Sequence, residues 1–199
     1  MMTRNMKRRI LGGAATLALA LAMPAAFAQG TDTTTASTPP LKATSGHHFR
    51  IGPEVGLFLP TSSKTSNRFG SSWLSLGIGL GQVDQVTEKG QTTFDLNILY
   101  QSKNGNSALV APVGVAYRVA LGKSGINTPY AGVSADLVLA DLKSKQDNVN
   151  HGLQTAAGGS AFIGIDFGTT GFLEARYLGI TSMKGFDLSG LNLSAGYRF

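Results

Sequence analysis

From residue 49 to the end of the chain, apolar and polar residues alternate in runs of about ten, each closed by a cluster of turn-forming residues. Successive strand side chains point to opposite faces, so each run has one apolar face and one polar or small one. Eight runs are legible, at 49–59, 72–82, 92–101, 108–121, 128–140, 155–168, 171–179 and 190–199. In the second, Leu74, Leu76, Ile78 and Leu80 share a face opposite Ser75, Gly77, Gly79 and Gly81. In the last, Leu191, Leu193, Ala195, Tyr197 and Phe199 oppose Asn192, Ser194, Gly196 and Arg198. No helical period follows residue 28, and the connections alternate between tight Gly-rich turns (122–125, 168–171) and longer polar loops (60–70, 141–154).

An even number of short strands, apolar on one face and polar on the other, predicts an all-β, eight-stranded antiparallel up-and-down transmembrane β-barrel, greasy outside and polar within. The aromatic residues support this. With both termini at one end, outward Phe49, Phe94, Tyr117, Phe167, Tyr197 and Phe199 fall near the lower rim, and Tyr100 and Tyr177 near the upper one. Interfacial girdles are expected of a membrane barrel, whereas a soluble sandwich gives no reason for this sorting.

The first 28 residues read as a secretory signal. Arg4, Lys7, Arg8 and Arg9 precede a short apolar stretch that ends at Pro24, and Ala26-Phe27-Ala28 offers small residues for cleavage. Residues 29–47, rich in Thr, Ser and Pro, hold too few large apolar side chains to fold and are expected to be a disordered periplasmic tether. Residues 48–199 then form the barrel. Four of the 17 Lys and Arg lie in the signal, so the formal charge of +6 shrinks to thirteen bases against eleven acids in the mature chain. That balance gives no reason to expect nucleic acid. The chain has no Cys, which excludes disulfides and thiolate metal sites.

The inward face collects charge. Arg50, Arg118, Arg176 and Arg198 share it with Glu54, Asp95, Asp136, Asp166 and Glu174. A lone buried charge is costly, and the Arg fork suits carboxylates, so these residues are expected to form a network that fills the lumen. Arg176 and Arg198, on the closing hairpin, are expected to share carboxylates such as Glu174 or Asp166. Glycines 77, 79 and 81 are expected to make room beside Trp73 and the arginines, and Pro112 to distort its strand. The outer loops carry a candidate basic rim, Lys64, Arg68, Lys103, Lys143, Lys145 and Lys184, suited to phosphates of lipopolysaccharide or to no more than solvated loop charge.

Phe172-Leu173-Glu174-Ala175-Arg176-Tyr177 and Ala195-Gly196-Tyr197-Arg198-Phe199 resemble the last hairpin of small outer-membrane barrels of the outer membrane protein A-like and X-like kind. The resemblance implies a bacterial outer-membrane location and a monomer. It also implies recognition of the last strand, with Tyr197 and Phe199, by the barrel-insertion machinery. No catalytic, cofactor or metal residue is expected. The pair His47-His48 supplies too few ligands, and His151 has no Ser arranged as in barrel lipases. A structural or surface-interaction role leads. A narrow channel for small or apolar solutes is the alternative, and a lipid-modifying enzyme is the remaining one.

Overall fold

A computed structural model describes residues 50–81, 89–122, 126–150, 152–168 and 170–198. The signal, the tether, His47, His48, Phe49, His151 and Phe199 lie outside the described residues, as does the side chain of Arg50. Eight strands follow one another: β1 (Arg50–Pro60), β2 (Trp73–Gly81), β3 (Gln91–Lys103), β4 (Asn106–Ala120), β5 (Asn127–Lys143), β6 (Leu153–Phe167), β7 (Gly171–Ile180) and β8 (Gly190–Tyr197). Every neighbour in sequence is an antiparallel neighbour in space, and β8 returns to β1 through Glu54↔Gly196 to Pro60↔Gly190. The sheet therefore closes with no free edge.

Burial is inverted relative to a protein built for water. Val55, Leu57, Leu76, Leu137, Ile163 and Leu193 are 44–63% exposed, while Asp95, Arg118, Asp166, Glu174, Arg176 and Arg198 are buried. Charged side chains are almost never buried in preference to aliphatic ones unless the exposed side meets hydrocarbon. Phe94, Tyr117, Phe167 and Tyr197 project outward towards the end where β1 begins and β8 ends, and Tyr100 and Tyr177 towards the other. We call these ends lower and upper.

Two expectations about the connections are corrected. The first upper loop contains a helix, α1 (Ser63–Phe69). Ser62 caps it by accepting from the Thr65 amide, and Gly70 ends it with φ +115°. Two turns are too short to register as a helical period, but its i, i+4 pair Thr65 and Phe69 is buried on one face. The second upper connection is a tight turn, because Asn104 and Gly105 adopt φ of 51° and 76°, as a two-residue hairpin turn requires. Length therefore does not alternate strictly with side. In β4 the ladder to β3 skips the pairings between Leu96↔Val113 and Leu99↔Val110, next to Pro112, which has no amide hydrogen to donate.

Candidate functional site

The lumen has two storeys. The lower one is polar. Asp95 and Glu174, from β3 and β7, hold Arg176 between them: its Nη2 lies 2.9 Å from Asp95 Oδ2 and its Nε 2.8 Å from Glu174 Oε1. Arg118 joins through its Nη2, 3.7 Å from Asp95 Oδ1, and donates to Thr93 Oγ1 at 3.0 Å. Thr93 in turn donates to Asp95, and the Tyr130 hydroxyl donates to Glu174 Oε2 at 3.0 Å. Arg198 makes a separate pair, Nη1 to Asp166 Oδ1 at 2.6 Å. The guanidinium planes also lie over rings, Arg176 over Phe162 at 4.4 Å and Arg198 over Phe172 at 4.6 Å. Such contacts supplement the ion pairs where water is scarce.

The residues read as one network are thus distributed among several partners. Among the described residues the ion pairs of Arg176 run to Glu174 and Asp95, and that of Arg198 to Asp166. Glu54 and Asp136 are bonded by serines instead: Ser194 donates to Glu54 at 3.2 Å, and Ser134 to Asp136 at 2.7 Å, with Ser160 2.7 Å beyond. The small residues of β2 serve Glu54, Asn97 and Asp95 and not Trp73. A Cβ at Gly77 would stand 2.3 Å from both Glu54 Oε1 and Asn97 Oδ1, and at Gly79 3.7 Å from Asp95.

The upper storey is apolar, so the charged residues occupy only the lower part of the lumen. Phe58, Trp73, Leu99, Val110, Val138, Leu142 and Leu178 close it from the strands. Phe69 of α1 and Met183, Phe186 and Leu188 of the last loop close it from above. Phe69 packs edge-on against Trp73 and Phe186, at 6.2 and 5.0 Å between centroids, and Trp73 Nε1 donates to Gly70 O. Strand parity could have placed Phe58, Phe162, Phe172 and Trp73 inside. The loop residues carry no such signal.

The upper loops knit themselves into a cap over this plug. Thr65 Oγ1 donates to Asp187 O at 2.6 Å, Lys64 Nζ to Gly185 O at 2.9 Å, and Thr61 to Ser189 O. Arg68 Nε meets Asp147 Oδ2 at 2.6 Å, joining the first loop to the third. The hydroxyl of Ser144 bonds that same carboxylate oxygen and, with Arg68 beside it, holds the Asp147 carboxyl below its ordinary value. Asn106, buried beside the β3–β4 turn, donates to Arg68 O and accepts from the Lys145 amide. Of the six bases read as one rim, Lys64 and Arg68 are therefore parts of the cap. Lys103, Lys143, Lys145 and Lys184 make no ion pair among the described residues.

Internal voids of about 10 Å³ lie beside Glu54, Asp95 and Arg176 and beside Asn97, Pro112 and Asn192. Each is at the lower limit for a single water. With a lipid-compatible exterior, a closed sheet and a packed interior, the chain is an eight-stranded antiparallel transmembrane β-barrel. It shares this fold with the crystal structure of neisserial surface protein A (NspA), at a TM-score of 0.59 and 18% identity over 75% of this chain and 95% of that one. No protein-family model and no curated protein matches the sequence.

Proposed function

We propose that this chain is an exported bacterial outer-membrane barrel with a structural or surface-interaction role, its lumen blocked rather than conducting. The observation that carries the reading is the double closure. The Arg–carboxylate cluster occupies the lower lumen, and Phe58, Phe69, Trp73 and Phe186 the upper one, with voids of only about 10 Å³ beside Glu54, Asp95 and Arg176 and beside Asn97, Pro112 and Asn192. Small barrels are commonly filled by side chains in this way. The cap loops then form the surface offered to whatever lies outside. Export through the periplasm with cleavage after Ala28, insertion through the last strand with Tyr197 and Phe199, a monomeric state and a lack of enzymatic activity belong to the same reading. Planar-bilayer recording of refolded protein tests it. The expected result is no unitary conductance above background. Stable, ion-selective openings would replace the reading with a narrow channel for small solutes.

A further inference from the structure

The upper rim is not evenly charged. Two lysines with no carboxylate partner among the described residues, Lys143 and Lys145, gather at the corner where β3, β4 and β5 end. Lys143 pairs in register with Ser107, whereas Lys103 pairs with the buried Asn106 and so falls on the opposite face of the sheet. Lys145 has its amide held by Asn106 Oδ1 at 3.1 Å, and its ammonium lies over the Asn104–Gly105 turn, 3.5 Å from where a Gly105 Cβ would stand. Asn106 is itself buried and fixed to Arg68 O, so the corner is held in place. The nearby acids are otherwise engaged: Asp147 faces Arg68 and Ser144, and Asp141, two residues below Lys143, accepts from the Gly152 amide.

The height of this corner matters as much as its charge. Ser102, Ser107 and Lys143 form a cross-strand row on the outer face. Directly beneath lies the row of Tyr100 and Leu109, 48% and 42% exposed, with Asp141 at its end, where the lipid-facing belt ends. Two residues separate the rows, about 7 Å along the strands. A Tyr marks the interface level, so the ammonium and hydroxyl groups stand where headgroup phosphates run.

We propose that Lys143 and Lys145, with the hydroxyls of Ser102 and Ser107, bind the phosphate of an anionic membrane lipid whose acyl chains lie along Tyr100 and Leu109. The proposal rests on the reading of the chain as a membrane barrel. Charge and depth together favour a lipid source over free phosphate, because a soluble anion would gain nothing from the apolar rows below.

The test places mature barrel in nanodiscs of phosphatidylcholine with a minor fraction of phosphatidic acid and measures the lipid that stays with the protein after detergent extraction. Phosphatidic acid is expected to be enriched. A lysine near an anionic lipid surface is worth about a fivefold change in affinity, so K143Q/K145Q is expected to lower the enrichment on the order of tenfold. The charge-matched variant K89Q/K184Q, with both lysines exposed and away from the corner, is expected to leave it unchanged. Equal loss in the two variants, or enrichment that survives K143Q/K145Q, would overturn the site. Displacement by equimolar inorganic phosphate would overturn the lipid assignment. Protease protection and compact gel migration of the same samples report insertion separately. Failure of the wild-type chain to insert would overturn the membrane-barrel reading along with the site, and insertion without enrichment would overturn the site alone.

Discussion

Arg176→Met probes the lower lumen most directly. The side chain is 8% exposed and makes charge-assisted bonds of 2.8 Å to Glu174 and 2.9 Å to Asp95. Met preserves much of the volume over Phe162 but strands two buried carboxylates. Asp95 would keep the Thr93 hydroxyl and Arg118, at 3.7 Å, and Glu174 the Tyr130 hydroxyl. Removing one partner of a buried pair costs about 3–5 kcal/mol, and sharing the loss between two acceptors leaves the expectation inside that range. The variant Glu174→Gln alone leaves Arg176 with Asp95 and should cost less. In the double variant the stranded charge at residue 174 is gone, so the combined loss should fall short of the sum by about 0.5–3 kcal/mol. Reversible urea unfolding from lipid vesicles, followed by the emission of Trp73, measures all four corners of the cycle. A cost for Arg176→Met below about 1 kcal/mol, the range of an exposed pair, together with additivity, would show that the lumen is wet and that the pairing does not hold the barrel closed.

Leu76→Arg places a charge on a face that is 47% exposed and should cost about 2–4 kcal/mol near the bilayer midplane, read by the same unfolding assay. Equal stability of Arg at Leu74, Leu76 and Ile78 would mean that this face does not meet hydrocarbon. Gly114→Ala would bring a Cβ within 2.3 Å of the Ala135 carbonyl oxygen, whereas Gly122→Ala meets nothing within 4 Å. The first should lose about 1–3 kcal/mol and the second almost none, and comparable midpoints would count against this packing. Asp147, held below its ordinary carboxyl value by the Ser144 hydroxyl and Arg68, stabilises the cap above the unfolded-state carboxyl pKa. That contribution is lost as the pH falls through the lower folded value. Hydrogen exchange at the α1 amides should accelerate over that acidic window in the wild type and show no such step in Asp147→Asn.

Alternation made much of this protein legible before any coordinates were considered. Leu74, Leu76 and Ile78 could face only one way if Ser75 and Gly77 faced the other, because the period of a strand is a local property of the backbone. The sidedness of Asp95, Arg118, Glu174 and Arg176 followed from the same parity, and so did the number of strands. Phe162 and Phe172 sat at inward positions by that rule too. Their place as platforms for Arg176 and Arg198 was obscured because they interrupt an otherwise polar face. α1 was missed because seven residues are too few to display a period, and because Phe69 is buried by partners from the far end of the chain.

The amino-acid sequence by itself determined which residues face lipid and which face inward, since that choice is made residue by residue along each strand. Only the tertiary structure decided which inward groups meet. Asp95 and Arg176 are 81 residues apart and touch because closure of β8 on β1 fixes the stagger of every strand around the lumen. It also decided that charge occupies the lower storey alone. The upper storey is sealed by Phe69 and Phe186 from loops whose positions no strand period encodes, and apolar packing there excludes the water that a second tier of ion pairs would need.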